Sequence, residues 1–272
     1  MGVSNRKRNV LSGGLSALAA SQIVTSNAHA ALKPKAPGET KIVAVVGDYW
    51  HNAVSQEVQI RRIFSHNKDW RIVFVRSNRF FTPELLSDAD LLINSRSSAL
   101  EHLDWSPDGL VDAAQKGVIL WTDENVKAVI NNIRNRGMGF LALHCTIHAR
   151  NRTISDLLGI EPIMHNQTQP LWVSDLNQEH PITKGIGKFF INLDEQFAVI
   201  IKSQYTTSLF KTTAIHDKRE AIGGWCLESG KGRIVGLLPG HTPDPYGVAE
   251  YRDIVWRSAH WAMKREIPKY PG

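Results

Sequence analysis

Four runs in the first half of the chain, at 42–46 (IVAVV), 71–75 (RIVFV), 89–93 (ADLLI) and 140–143 (FLAL), are apolar with hardly a break. Strands that alternate polar and apolar residues keep one face in water. Strands that are apolar throughout need cover on both faces. Between these runs lie stretches of helical spacing. One spans 55–64, one opens at Thr82-Pro83-Glu84 with a cap residue and a proline at the first position, and one spans 122–136. In the last, Val126, Val129, Ile130 and Ile133 share a face, Thr122 stands at the cap and Gly137 at the stop. Strand and helix in alternation predict an α/β fold, a mostly parallel sheet with helices on both faces. Such sheets take their ligands beyond the carboxyl ends of the strands. Asp48, Asn94 and His144 each follow a strand in this reading and are candidates to line one crevice.

The second half is richer in strands, predicted at 171–173, 197–201, 212–215, 221–227 and 233–238, with SGKG at 229–232 joining the last two as a hairpin. A helix over 248–264 carries Ile254, Val255, Trp256 and Trp261. Residues 41–265 read as a single domain, preceded by a linker at 31–40 and followed by a short tail at 266–272. The linker owes its character to KPKAPGE at 33–39.

Residues 1–30 have the make-up of a signal peptide. Arg6, Lys7 and Arg8 are followed by a mildly apolar segment and by Ala28-His29-Ala30, a small-x-small cleavage pattern. The apolar segment falls short of the about 20 residues that cross a bilayer, so no integral membrane association is expected. Lys7-Arg8-Asn9-Val10-Leu11 resembles a twin-arginine signal. The expectation is a periplasmic or secreted bacterial protein. Removing the leader takes three basic residues and no acidic one from a formal charge of +6, which leaves 29 cations against 26 anions. That balance gives no reason to expect nucleic acid as a partner. In an oxidising compartment Cys145 and Cys226 can pair.

The chemistry concentrates where apolar runs stop. The stretch GFLALHCTIHARN at 139–151 ends a strand in His144 and Cys145. A nucleophilic thiol at a strand-to-helix elbow wants small residues two before and two after, and Cys145 has Leu143 and Ile147 there. His144 is the better candidate, as general acid or base or as a ligand. His165 and His241 also end or flank strands, and three histidines with an open position suit catalytic zinc. A divalent metal such as zinc at His144, His165 and His241 is therefore one expectation, against core histidines bonded to backbone. Asp194 and Glu195 are the acidic candidates for acid–base work, against a solvated loop pair. In GDYWHNA at 47–53, Asp48, Tyr49, Trp50 and His51 are candidates for substrate binding, with the two aromatics as a platform for a sugar ring or as core. Asn94 joins them. No G-x-G-x-x-G follows the first strand, so no nucleotide cofactor is expected.

An ordered series runs through the chain: GFLALH at 139–144, Leu157-Leu158-Gly159, His165, His180-Pro181-Ile182 and Asp194-Glu195. It continues with Trp225, Gly230-Lys231-Gly232-Arg233, Gly240-His241 and Trp261-Ala262. In this it resembles the trehalose-utilisation, ThuA-like family over roughly residues 40–265. The resemblance implies a flavodoxin-like, class I glutamine amidotransferase-like fold, a role in sugar metabolism with trehalose and 3-keto sugars as the usual association, and metal binding in some members. The segment His144-Cys145-Thr146-Ile147-His148 departs from the small residues usual in relatives. The reading is then an exported lyase, hydrolase or isomerase on a sugar derivative, with a small carbohydrate as its ligand. A non-catalytic carbohydrate-binding protein and a Cys145-dependent amidase are the alternatives.

Overall fold

The first apolar run is strand β1 (Thr40–Val46), buried along its whole length. Successive side chains of a strand face opposite ways, so both faces of the sheet are covered here. Ile42, Ala44 and Val46 share a core with Ile60 and Ile63 of helix α1 (Ala53–Phe64) and with Ile254 and Val255 of helix α6 (Ala249–Ala262). The computed structural model describes residues 33–48, 50–97, 121–148 and 152–272. The signal-peptide segment and Tyr49 lie outside the described residues.

Beside β1 run β2 (Trp70–Val75) and β3 (Leu91–Ser95), then β4 (Gly139–Leu143) and β11 (Gly232–Leu237), all parallel. The order is β2-β1-β3-β4-β11, so the direction of winding reverses between β1 and β3. This is the flavodoxin-type order, whose crevice lies at that reversal. The predicted α/β class holds.

The sheet then continues as an antiparallel wing. It is made of β10 (Glu220–Ser229), β9 (Thr207–Ala214), β6 (Gln169–Ser174) and β7 (Phe189–Asp194). The predicted hairpin is present, with Ser229 opposite Gly232 and Gly230 at φ +59°. A separate two-stranded ribbon pairs β5 (Ile160–His165) with β8 (Phe197–Ile201).

Several elements differ from the expectation. β3 runs two residues later than 89–93, because Asp90 is held at the sheet's edge, its N–H on the Lys41 carbonyl at 2.8 Å. The helix expected over 122–136 is regular only through α3 (Asp123–Asn131), then widens into a π turn that closes at Gly137, φ +89°. β5 and β7 were not predicted, since Pro162 interrupts one and Asn192 breaks the apolar pattern of the other. The remaining short helices are α2 (Pro83–Leu86), α4 (Arg152–Leu158) and α5 (Asp244–Gly247). Residues past α6 fold back on it, with the Trp256 indole N–H donating to the Pro268 carbonyl at 3.0 Å. No described helix is long and apolar enough to cross a membrane.

Candidate active site

β4 ends in a turn that a side chain adopts at a cost. His144 has φ +40° and leads directly into a single 3-10 segment, His144–His148. The strained elbow position is therefore occupied by an imidazole. Its ring is buried, and its Nδ1 lies 2.7 Å from the Leu238 carbonyl oxygen. A carbonyl only accepts, so Nδ1 carries the proton and Nε2 keeps its lone pair. That Nε2 makes no hydrogen bond and lies 3.5 Å from Oε2 of Glu195. Burial pulls the His144 pKa down to about 4, so the ring is neutral at pH 7.

The turn from β1 to α1 supplies the second imidazole. Gly47, at φ +76°, lets the chain swing so that Asp48 points inward, and Asn52 caps the helix by accepting from the Ser55 N–H. Oδ1 of Asp48 accepts from His51 Nδ1 at 2.6 Å and from the Trp50 N–H at 2.9 Å. Oδ2 accepts from the Ser97 N–H at 2.8 Å. Burial pushes the Asp48 carboxyl up, but its bond to and attraction for His51 outweigh this and hold it below its usual range. With Nδ1 committed to the carboxylate, His51 turns Nε2 toward Nδ1 of His241, 3.1 Å away.

The turn between β7 and β8 brings two carboxylates with separate tasks. Asp194 is fully buried and accepts from the N–H groups of Gly240 at 2.7 Å and Thr242 at 3.0 Å, so it clamps the loop that carries His241. Burial raises its pKa to about 7. Glu195 reaches into the crevice. Oε1 meets Nδ1 of His165 at 2.7 Å, while Oε2 lies 3.4 Å from Nδ1 of His241 and 3.5 Å from Nε2 of His144. Burial pushes Glu195 up, and the imidazoles that face it with an N–H more than offset this, holding the carboxyl well below the carboxylate range. In return, the hydrogen bond with Glu195 raises the pKa of His241.

Three imidazoles thus face one another: His51 and His144 with ring centres 4.9 Å apart, His51 and His241 at 4.9 Å, His144 and His241 at 5.4 Å. Phe197 walls the group, its ring 4.6 Å from that of His144. The ligand atoms of His51, His144 and His241 lie within 4.8 Å of one another, close enough to hold one metal ion. His51 therefore takes the place expected for His165, which sits on the far oxygen of Glu195.

Other expected roles also move. Asp48 is buried behind His51, which it orients. Asp194 is a clamp with no open face. Asn94 lies within β3, and its amide donates to the Arg96 carbonyl at 2.9 Å and the Thr146 hydroxyl at 3.1 Å, tying β3 to the His144 turn. Trp50 is 64% exposed and so is no part of the core. Cys145 is buried and donates to Oδ2 of Asp48 and to the Ser95 carbonyl. Burial, then the Asp48 charge, push its thiol well up, and the backbone strain sits one residue earlier. Those features deny it a nucleophile's role. Cys145 and Cys226 are both free thiols. In sequence, the sign of His51's role is the Asp-x-x-His spacing just after β1, which lets the carboxylate reach back to the ring.

The family model for trehalose utilisation, ThuA, matches residues 41–262. A ThuA-like protein of Parabacteroides merdae shares the fold at TM-score 0.66 and 14% identity, with 86% of this chain and 93% of that chain covered. A ThuA-like protein of Bacteroides uniformis gives 0.59 and 15%, over 84% and 93%. A β-galactosidase of Bacillus circulans gives 0.55 and 9%, with 85% of this chain covering 32% of that one. A search of curated proteins returned no match. The extent of the family match, over a sheet of the expected order, makes this chain a member of the ThuA, trehalose-utilisation family.

Proposed function

We propose that this protein is an exported enzyme of carbohydrate metabolism that moves protons on a sugar or 3-keto-sugar derivative, as a lyase, hydrolase or isomerase. The observation that carries the reading is the group of His51, His144, His241 and Glu195 converging at the β1/β3 crevice. A carbonyl acidifies its neighbouring C–H. His144, neutral and with a bare Nε2, is the base for that proton, and His241 beside anionic Glu195 is the acid that returns one. Asp48 keeps His51 in one tautomer. Trp50, next in sequence to His51, offers its exposed ring to a small carbohydrate. As the alternative to that metal-free acid–base role, the donors suit a divalent metal such as zinc, which would be held by His51, His144 and His241 and when bound would polarise the carbonyl.

The test is incubation with 3-keto-glycosides in deuterium oxide, followed by NMR. Exchange of the C–H beside the carbonyl, or product, is expected for the wild type, with a loss of about 10²–10⁴-fold in His144→Gln and Glu195→Gln. Saturable sugar binding without exchange or turnover would instead make it a carbohydrate-binding protein. For export, the expected result is a mature chain beginning at Ala31, read by mass spectrometry of the periplasmic fraction. An unprocessed chain in the cytoplasm would overturn that part.

A further inference from the structure

We infer that the solvent face of the antiparallel wing, centred on Trp172 and Phe190, joins two copies of this chain in a two-fold dimer. An antiparallel sheet with one wet face alternates apolar residues inward with polar residues outward. The inward half of that rule holds in β6 and β7, where Leu171, Val173, Phe189 and Ile191 enter the core. The outward half fails. Pro170, Trp172, Phe190 and Leu193 stand where polar side chains belong, and Trp172 pairs with Phe190 across the two strands. Trp172 is 37% exposed and Phe190 40%.

These residues form one strip. The Trp172 and Phe190 rings meet edge to face with centres 5.0 Å apart. The Ile215 N–H donates to the Pro170 carbonyl at 3.0 Å, which sets exposed Ile215 beside them. Leu193, also exposed, closes the strip on β7, the last strand of the sheet. A buried aromatic side chain covers about 150–250 Å², so the two rings leave roughly 60–100 Å² each in water. With Pro170, Leu193 and Ile215 the strip comes to roughly 300 Å², a size at which the largest patch on a monomer is often functional. A standard interface takes about 800 Å² from each partner, as an apolar centre within a polar rim. The strip supplies the centre, and the charged groups around it supply the rim.

Charge points to a second copy as the occupant. On the β7 side Lys188 makes no ion pair among the described residues, and its ammonium stands over the Trp172 ring, 4.4 Å from the centre. On the β9–β10 side a single cation, Lys211, serves two carboxylates, Asp175 at 3.1 Å and Glu220 at 3.6 Å. One flank of the strip therefore carries a surplus cation and the other a surplus anion. A two-fold axis sets each flank against its opposite in the other copy, so the surface complements itself. A sugar fits it poorly. Lys188 occupies one face of the indole and Phe190 meets it at 61°, so the rings offer no flat platform.

The test is sedimentation velocity on the chain from Ala31, over a dilution series from high micromolar to nanomolar concentration. Wild type should pass from dimer to monomer along the series. Trp172→Thr and Phe190→Thr keep β-forming residues on an exposed face. Each should weaken association more than 100-fold, since two-fold symmetry removes the ring twice. Lys188→Glu should weaken it about 10-fold at low salt and by less at high salt. Val58→Lys, at an exposed apolar position on α1, should leave the dimer intact. Circular dichroism checks each fold. A wild type that is monomeric throughout, a dimer indifferent to Trp172→Thr and Phe190→Thr, or one that Val58→Lys splits would each overturn the inference. So would a monomeric chain that binds a soluble β-glucan in affinity electrophoresis and loses it in Trp172→Thr, which would make the strip a glycan surface.

Discussion

His144 and Asp194 titrate in opposite senses, and their variants should reveal it. The His144 pKa near 4 lies below the ordinary 6.5, so the unfolded chain takes a proton that the folded chain refuses. Its contribution is complete above pH 6.5 and is lost as pH falls toward 4, about 3 kcal/mol in all. Asp194, near 7 instead of 3.8, holds a proton in the folded state that the unfolded chain releases, so its effect on stability declines as pH rises through the same window. Urea unfolding of His144→Gln between pH 4.5 and 7 should show stability falling as pH rises. Asp194→Asn should show it rising. Equal pH slopes in the two variants would contradict the placement of both groups. The Asp48–His51 pair gives a second expectation at this scale. Asp48→Asn keeps the shape and removes the charge behind the ring, and should cost about 10- to 100-fold in cation affinity or activity. In sequence His51 stood among the substrate contacts and His165 among the ligands. Three-residue spacing does not say which way a ring turns, whereas the 2.6 Å bond to Asp48 does.

At the scale of the element, the β1–α1 turn decides whether Asp48 and His51 arrive in place. A Cβ on Gly47 would lie 2.3 Å from the Ala53 Cβ, at a φ of +76° that L residues avoid. Gly47→Ala should cost about 3 kcal/mol, the sum of a left-handed penalty and overpacking. Gly38 has the same φ with nothing described within 4 Å, so Gly38→Ala should cost only about 1 kcal/mol. Equal urea midpoints for the two would refute the crowding at Gly47. Elements such as β1, β4 and β8 were legible because each is one unbroken apolar run. β5 and β7 were not, because their pairing with β8 and β6 overrides a proline and a polar break. Local pattern records what a strand buries, and it is silent about partners supplied from elsewhere in the chain.

At the scale of the molecule, the parallel core and the antiparallel wing are one sheet, and Trp225 fastens the join. Its ring is fully buried, its indole N–H donates to the Leu158 carbonyl at 2.9 Å, and it lies across Gly236 of β11, where a Cβ would stand 2.3 Å from the ring. Trp225→Ala should cost about 3–5 kcal/mol, seen as a shift of one shared urea midpoint by circular dichroism and fluorescence. Two separated transitions would mean that the wing unfolds independently. The amino-acid sequence by itself determined the α/β class, the carboxyl edge of the sheet as the place where the candidate residues gather, and His144, His241 and Glu195 among those candidates. Those follow from apolar runs and from what stands at their ends, which are local properties of the chain. Tertiary structure alone decided that His51 faces His144, that Asp194 clamps while Glu195 reaches inward, and that Cys145 is sealed. Each of these depends on turns and strands distant in sequence being brought within about 3 Å, the range in which a hydrogen bond forms or fails.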